Sequence, residues 1–148
     1  MKTQPTFAVT VRAIIVDKGE LFMVKHKPTH TYHALPGGRL EAGETLRDGL
    51  VRELIEETTI RPEVGPLLFI NEWISLANHR VEFFFWIRNA ADYHQANPAA
   101  ASHGFEIAEA VFGNATDPKY GLLPSFLPQR FPHILELGEH YPTEMVQS

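Results

Sequence analysis

The sequence predicts an α/β fold in which a mixed β-sheet is sandwiched between helices. Two observations support this prediction. Strand-like segments come before and after one amphipathic segment with helical spacing. More strand-like segments follow, and the C-terminal third can form a second helix. The chain has 148 residues, of which 44% are hydrophobic, so we expect residues 1–148 to form a single domain with a buried core.

The N-terminal region is expected to form a β-hairpin. Residues 7–16 are rich in β-branched and apolar side chains, and the apolar pattern resumes over residues 21–25. The intervening residues 17–20, Asp-Lys-Gly-Glu, are typical of a turn. An exposed polar loop over residues 26–33 is then expected to lead into a Pro-Gly-Gly turn.

The segment after this turn has the spacing of an amphipathic helix. Apolar side chains recur three and four positions apart at Leu46, Leu50 and Leu54. Thr45 precedes them and is followed three positions later by Asp48, which is a variant of the capping box. The helix is therefore expected to begin near Thr45.

The remaining elements are predicted from alternation and from turn residues. Residues 67–76 and 80–88 are expected to form a second hairpin, followed by a loop over residues 89–104. Residues 105–112 are predicted to be a further strand. Pro132 is suited to the first turn of a helix that would run to about residue 139.

Glutamates are the chemically informative residues of the first helix. At about 100° per residue, Glu53, Glu56 and Glu57 lie within an arc of roughly 100° on one face. Like charges this close destabilise a helix unless a cation neutralises them. Arg52 offsets part of the charge, because it can reach Glu56 four positions later.

The oxygen-only ligand set narrows the identity of that cation. Carboxylates and main-chain carbonyls suit Mg²⁺, Ca²⁺ or Mn²⁺, whereas zinc and copper sites usually recruit His or Cys. We expect Mg²⁺, with Mn²⁺ as the alternative, bound by Glu53, Glu56 and Glu57 and by a carbonyl of Gly37 or Gly38. Because Mg²⁺ is usually shared with substrate phosphates, a phosphate ester or anhydride is the expected substrate.

The spacing of these residues resembles the signature box of the Nudix hydrolases, which cleave nucleoside diphosphates linked to another moiety. The matching residues are Gly38, Glu44 and the run RELIEETTI at residues 52–60. The alternative interpretation, a solvated acidic helix face, is disfavoured by the register of the whole box. One position departs from the pattern, since Thr59 stands where the family has Gly. A β-branched residue is strained at positive φ, so the helix is expected to end differently.

The resemblance implies an α/β/α sandwich and a Mg²⁺-dependent attack of water on phosphorus. It assigns Arg52 to orienting a neighbouring carboxylate and Glu44 to a supporting role near the site. The general base is left open between Glu53 and a glutamate outside the box, as in similar proteins. Glu106 and Glu82 are the two positions that can supply it.

Candidate substrate-binding residues also lie outside the box. Alternation over residues 81–87 groups Glu82 with Phe84 and Trp86 on one sheet face, where they would line a nucleotide pocket. The alternative is that the two rings pack beneath a helix. His33, three residues before the Pro-Gly-Gly turn, is expected to contact the substrate, whereas the other histidines lack the spacing of metal ligands.

The composition of the chain indicates which classes of partner and which compartment to expect. The 13 Lys and Arg against 18 Asp and Glu give a formal net charge of -5, and no basic run suited to a nucleic-acid polymer is present. There is no Cys, and the N-terminus lacks a long apolar stretch. We therefore expect a cytoplasmic protein without disulfides, signal peptide or membrane span. The expected partner is a small nucleotide, and a homodimer is left open.

Two alternatives concern the activity. A (d)NTP pyrophosphohydrolase for nucleotide clean-up and an ADP-ribose or nucleotide-sugar hydrolase would share the same box, and the sequence does not separate them. A non-catalytic Nudix-like module that senses a nucleotide belongs to another class. Such modules typically lose box carboxylates, whereas this chain retains all four, at Glu44, Glu53, Glu56 and Glu57.

Overall fold

The computed structural model describes residues 6–27 and 30–148, so residues 1–5 and part of the predicted loop at 26–33 lie outside the description. Short 3₁₀ turns join the strands and helices of these ranges. The elements are β1 (Thr6–Ile14), β2 (Val16–Asp17), β3 (Glu20–His26), β4 (Gly37–Arg39), α1 (Leu46–Thr58), β5 (Val64–Ile74), β6 (Asn78–Ile87), β7 (Ile107–Gly113), α2 (Phe126–Leu137) and β8 (Glu144–Gln147). Neither α1 nor α2, nor any other helix of the described ranges, has the length and apolar character needed to cross a membrane.

The strands form two sheets. The larger one is mixed, with strand order β4-β1-β6-β5-β8. In it β1 is parallel to β6 and antiparallel to β4, while β5 is antiparallel to β6 and parallel to β8. The smaller sheet is antiparallel, with order β2-β3-β7.

The larger sheet is covered by α1 on one face and by α2 on the other. Val11 of β1 packs in one core cluster with Leu50 and Leu54 of α1. Ile14 of β1 packs in a second cluster with Phe131 of α2. Odd and even side chains of β1 thus serve opposite layers, as a pleated strand requires. The predicted α/β/α sandwich is confirmed.

The N-terminal hairpin is shorter than predicted. Of the two strands formed by residues 6–17, only β2 pairs with β3. The longer β1 instead joins the larger sheet between β4 and β6. The break falls at Ile15, whose carbonyl accepts a hydrogen bond from the N–H of Phe22 at 2.9 Å. Because the apolar pattern continues through Ile15, alternation alone did not reveal that the chain changes sheets there.

In the second half of the chain, the strands β5, β6 and β7 agree with the prediction better than the helix α2 does. The hairpin of β5 and β6 is confirmed with shifted ends, and the predicted strand at residues 105–112 is β7. The helix start at Pro132 is wrong, because α2 begins at Phe126 and has Pro132 in its interior. Pro132 cannot donate a main-chain hydrogen bond to the preceding turn, but the buried Phe131 and Ile134 hold the helix on the core.

Helix α1 begins as predicted but ends in an unexpected way. Thr45 caps it, with Oγ1 accepting a hydrogen bond from the Asp48 N–H at 3.1 Å. Thr59 follows the last turn in the left-handed region, at φ 69°, and its N–H donates to the Ile55 carbonyl at 3.0 Å. The prediction of a different helix end is therefore wrong. The chain keeps the left-handed cap at a cost of roughly 1–3 kcal/mol for a residue with a branched Cβ.

Thr59→Gly is expected to raise the free energy of unfolding by about 1 kcal/mol, because Gly adopts positive φ without strain. The Thr59 side chain is exposed, so little packing is lost. Urea denaturation of the metal-free protein measures the change. The control is Thr58→Gly, which should destabilise because Thr58 is buried and its Oγ1 donates to the Leu54 carbonyl at 2.6 Å. An unchanged or lower stability of Thr59→Gly would contradict the strain.

Candidate functional site

The acidic residues lie where α1 packs against β4. Gly37 has φ 139°, and its N–H donates to Oε1 of Glu57 at 3.2 Å. Gly38 lies so close to Glu53 that a Cβ at this position would be 2.5 Å from Oε2 of that glutamate. The two glycines therefore let the acidic face of α1 approach the main chain of β4.

Arg52 joins the carboxylates of this site. Its Nε and Nη2 donate to the two oxygens of Glu44 at 2.6 and 2.9 Å. Its Nη1 donates to Oε1 of Glu53 at 2.9 Å and to Oε2 of Glu56 at 3.2 Å. The contact between Arg52 and Glu56 predicted from the helical spacing is thus confirmed. The hydrogen bond with Glu44 is the main reason why the pKa of Arg52 is raised above its ordinary value.

Glu44 is held in its charged form. The hydrogen bond from Arg52, followed by one from the Glu41 N–H at 2.8 Å, lowers the pKa of Glu44 from 4.5 to about 2. A lowered pKa stabilises the fold above pH 4.5, and the contribution is lost as the pH falls towards 2. Glu44 thus fixes the guanidinium that in turn contacts the α1 carboxylates.

Glu57 is the buried carboxylate of the site, with 4% of its surface exposed. Burial raises the pKa of Glu57 to about 8, an effect that Arg12 opposes and the charge of Glu53 reinforces. Its Oε2 is buried and has no hydrogen-bond partner among residues 6–27 and 30–148. Nε2 of His26 lies 3.9 Å from this oxygen. A cation beside Glu57 would stabilise the charged form that burial disfavours.

The residues present fit a hard divalent cation. Glu53, Glu56 and Glu57 offer only oxygen donors, the set that Mg²⁺ and Mn²⁺ prefer. Oε2 of Glu57, which has no hydrogen-bond partner within the described ranges, is a free ligand for such an ion, and the missing Cβ of Gly38 lets the Glu53 carboxylate lie against β4. Within the described ranges no three His, Cys, Asp or Glu side chains already surround one point. In this structure Arg52 instead engages oxygens of Glu53 and Glu56.

The segment between β6 and β7 brings two residues, His103 and Glu106, to the region of the acidic site. His103 donates through its main-chain N–H to the Glu56 carbonyl at 2.8 Å and through Nδ1 to Oε2 of Glu56 at 2.9 Å. Glu106 is exposed, and its carbonyl accepts a hydrogen bond from the Lys27 N–H at 2.8 Å. Burial lowers the pKa of His26, and the charge of Glu106 opposes that shift. Glu106 is next to Ile107, which pairs with His26 in the register of β3 and β7.

Phe84 and Trp86 face the layer of α2. Phe84 is fully buried, and its ring meets that of Phe126 edge-on at 5.4 Å between centroids. Trp86 is half-buried, packs against the same core and lies beside Gly138, where α2 ends. The buried ring of Phe84 offers no surface to a nucleobase in this structure, and its contact with substrate stays a prediction. For both rings the structure has the alternative arrangement, packing beneath a helix.

Glu82 is buried, with 6% of its area exposed. Its Oε2 accepts a hydrogen bond from Oγ1 of Thr10 at 3.2 Å and lies 3.5 Å from Nε of Arg12. Its Oε1 accepts one from Nδ2 of Asn71 at 3.2 Å. The structure therefore surrounds Glu82 with the protein donors Thr10, Arg12 and Asn71.

His33 is also buried, with 5% of its area exposed. Nδ1 donates to the Tyr120 carbonyl at 3.0 Å, and Nε2 lies 3.4 Å from Oε1 of Glu109. The His33 carbonyl accepts a hydrogen bond from the Leu123 N–H at 3.0 Å. In this structure His33 ties the segment before the Pro-Gly-Gly turn to residues 120–123, and its contact with substrate stays a prediction.

Sequence reasoning missed three residues that touch the site. Arg12 carried a usable signal, because a single charge in the apolar run of residues 7–16 must find a partner when the strand is buried. His26 and His103 carried no such signal. Each reaches a glutamate of α1 only through the folding of a distant segment, and neither has a sequence spacing typical of a ligand.

Comparison with known proteins gives a family match over most of the chain. A family model described as the NUDIX domain matches residues 6–126. Over 63 residues the chain is 43% identical to an ADP-ribose pyrophosphatase of Methanocaldococcus jannaschii, covering 41% of this chain and 37% of that protein. Over 64 residues it is 41% identical to a MutT-like protein of Streptomyces ambofaciens, covering 43% and 41%. The chain thus spans about two fifths of the length of these curated relatives.

Solved structures with the same fold cover nearly the whole chain. A NUDIX hydrolase from Nitrosomonas europaea has a TM-score of 0.69 at 22% identity and covers 94% of this chain and 93% of its own. The solution structure of the E. coli ORF135 protein has a TM-score of 0.67 at 20% identity and covers 95% and 96%. At this level of identity the likeness establishes the fold.

Proposed function

Because the chain belongs to the NUDIX family, we propose that it is a Mg²⁺-dependent hydrolase that cleaves the pyrophosphate linkage of a nucleoside diphosphate derivative. The observation that carries the proposal is the buried Glu57, which lies on the same helix face as Glu53 and Glu56. Its Oε2 has no hydrogen-bond partner among the residues that the structure describes. Without a cation, burial favours the protonated form of Glu57, whereas a bound cation would stabilise its charged form. A cation beside carboxylates is what pyrophosphate chemistry uses.

In this proposal Glu53, Glu56 and Glu57 hold the metal, together with the Gly38 carbonyl. Bound Mg²⁺, or Mn²⁺ in its place, supplies neutralisation of the pyrophosphate charge and a lower pKa for the attacking water. Glu53 or the more exposed Glu106 accepts the proton of that water. Glu106 is next to Ile107, which pairs with His26, and Nε2 of His26 lies 3.9 Å from Oε2 of Glu57. This arrangement supports the candidacy of Glu106.

Arg52 and Glu44 act on the orientation of the ligands. Arg52 donates to both Glu53 and Glu56, so it limits the directions in which their remaining oxygens can point. Glu44 holds the guanidinium by two hydrogen bonds, of 2.6 and 2.9 Å. Partners of this kind around ligating side chains typically change metal affinity by about 10- to 100-fold.

His103→Ala is expected to weaken Mn²⁺ binding about tenfold, because Nδ1 of His103 holds Oε2 of Glu56 and leaves Oε1 for the ion. His103→Asn retains a donor near the position of Nδ1 and should keep most of the affinity. Electron paramagnetic resonance of free Mn²⁺ measures the binding. An alanine variant with the affinity of the wild type would contradict an orienting role for His103.

The substrate is proposed to be a small nucleotide, acted on in the cytoplasm by residues 1–148 as one domain. The names of the two curated relatives, ADP-ribose pyrophosphatase and MutT-like protein, support different members of this class. A screen of nucleoside triphosphates, dinucleoside polyphosphates, ADP-ribose and nucleotide sugars, with and without Mg²⁺, tests the proposal. Phosphorus NMR of products formed in ¹⁸O-labelled water identifies the attacked phosphorus. Binding without any Mg²⁺-dependent product would contradict a hydrolase.

A further inference from the structure

A cavity of about 260 Å³ opens on the α2 side of the larger sheet, behind the acidic site. Its lining includes Thr10 and Arg12 of β1, Arg39 of β4 and Arg80 of β6. Strand register brings these residues together, since Thr10 pairs with Arg39 and the small Ala8 pairs with Arg80. Three guanidinium groups from three neighbouring strands therefore border one cavity.

The positive charge of this cavity is only partly balanced. Arg12 has a carboxylate partner, Glu82, with Nε and Oε2 3.5 Å apart. In the part of the chain that the structure describes, Arg39 and Arg80 take part in no ion pair. Nε of Arg80 is buried without a hydrogen-bond partner there, and the guanidinium lies over the Trp73 ring, 5.5 Å from its centroid. Unpaired guanidinium groups in a concave site attract and bind anions.

The cavity and the acidic site share the short strand β4. Gly38 lies against the Glu53 carboxylate, and the next residue, Arg39, contributes to the cavity. The Arg39 carbonyl accepts a hydrogen bond from Nη2 of Arg52 at 3.1 Å. Arg12 also connects the two regions, because it lines the cavity and opposes the effect of burial on the pKa of Glu57. A substrate whose anhydride lies at the acidic site can therefore extend over the edge of the sheet towards Arg39 and Arg80.

We propose that this cavity binds a second anionic group of the substrate, separate from the scissile pyrophosphate. The ligand chemistry is a phosphate, supplied either by the end of a longer polyphosphate chain or by a phosphomonoester on the linked sugar. Arg39 and Arg80 bind this phosphate, and Glu82 holds Arg12 in position. The inference rests on the proposed function and narrows it, because it favours substrates with an additional phosphate over nucleotide sugars with an uncharged sugar.

Steady-state kinetics with matched substrates tests the inference. The substrates are ADP-glucose, with an uncharged distal group, adenosine tetraphosphate, and ADP-ribose carrying a phosphomonoester on its distal ribose. Arg39→Gln and Arg80→Gln should each raise KM about tenfold for a phosphate-bearing substrate, as expected for the loss of one charge-assisted hydrogen bond, and leave kcat and the constants for ADP-glucose nearly unchanged. Whichever phosphate-bearing substrate loses this affinity identifies the source of the phosphate. Arg61→Gln, an exposed arginine outside the cavity, is the matched control.

Failure of the inference can be told apart from failure of the proposed function. If the wild type hydrolyses these substrates but the two variants affect all of them equally or none, the cavity does not bind the second phosphate and the hydrolase proposal stands. If the wild type hydrolyses neither these substrates nor any other compound of the screen, the proposed function fails. Calorimetry with inorganic tripolyphosphate in the presence of EDTA then tests, without any hydrolysis, whether the cavity binds phosphate. Binding that weakens in Arg80→Gln but not in Arg61→Gln supports it, and equal binding by all three proteins overturns it.

Discussion

Glu53→Gln is expected to lower Mg²⁺-dependent kcat by about 10² to 10⁴-fold, because the amide removes a charged metal ligand and a candidate base while keeping the shape of the side chain. Glu53 is the carboxylate against which Gly38 packs, and Nη1 of Arg52 contacts it at 2.9 Å. Initial rates at saturating Mg²⁺, on the best substrate of the screen, give the measurement.

The matched control for this experiment is Glu41→Gln. Glu41 lies 3.8 Å from Nη1 of Arg52, but its side chain is 68% exposed and it is not on α1. Its substitution should change kcat less than about threefold, as expected for an exposed ion pair. Near-normal turnover of Glu53→Gln, or an equal loss in both variants, would remove Glu53 from the reaction.

Glu57→Gln is expected to make the metal-free protein more stable while abolishing the stabilisation by Mg²⁺. The pKa of Glu57 is raised from 4.5 to about 8 in the folded protein, mainly by burial. The stability that its protonated form contributes is therefore complete below pH 4.5 and is lost as the pH rises through about 8. Gln carries no charge at any pH, so the variant does not lose this contribution.

Thermal unfolding in EDTA between about pH 5 and pH 9 measures this effect. The Tm of the wild type should fall relative to that of Glu57→Gln by about 5–10 °C across this range, which corresponds to a few kcal/mol in a chain of this size. Added Mg²⁺ should restore the wild type at the alkaline end and leave the variant unchanged. Parallel pH profiles of the two proteins, or equal responses to Mg²⁺, would contradict the claim that Glu57 is a buried metal ligand.

The parts of the site that the sequence predicted are those set by local spacing. Thr45 as the helix cap and the contact between Arg52 and Glu56 follow from positions three and four residues apart, and the structure has both. The approach of Glu53 and Glu57 to the Pro-Gly-Gly turn also has a local cause, since only residues without a Cβ admit such close packing. For the same reason the start of α1 was predicted to within one residue.

The errors concern properties that depend on distant partners. The strand run that includes Ile15 is apolar throughout, so its division between two sheets depends on pairing with β6 and β3. Propensity disfavours Pro132 inside a helix, but burial of Phe131 and Ile134 against the sheet overrides it. Thr59 adopts positive φ because the helix on one side and the following chain on the other determine its conformation.

Burial was the property least accessible to pattern analysis at the candidate substrate residues. Alternation correctly grouped Glu82, Phe84 and Trp86 on one face of β6, but a face pattern does not say whether a helix or a ligand covers it. Helix α2 covers the end with the rings, and the arginine-lined cavity lies near the end with Glu82. The same holds for His33. Its side-chain chemistry suits a ligand contact, but in the structure it is buried and hydrogen-bonded to the Tyr120 carbonyl.

The central claim is that the carboxylates of α1 hold a hard divalent cation at the β4 turn. Crystals grown with Mn²⁺ and a non-hydrolysable nucleotide diphosphate analogue test it most directly, because anomalous scattering identifies the position of manganese without assumptions about the ligands. We predict a manganese peak in contact with oxygens of Glu53, Glu56 and Glu57 and of the analogue. A fully occupied analogue with no manganese at these three carboxylates, or with manganese bound elsewhere on the chain, would contradict the claim.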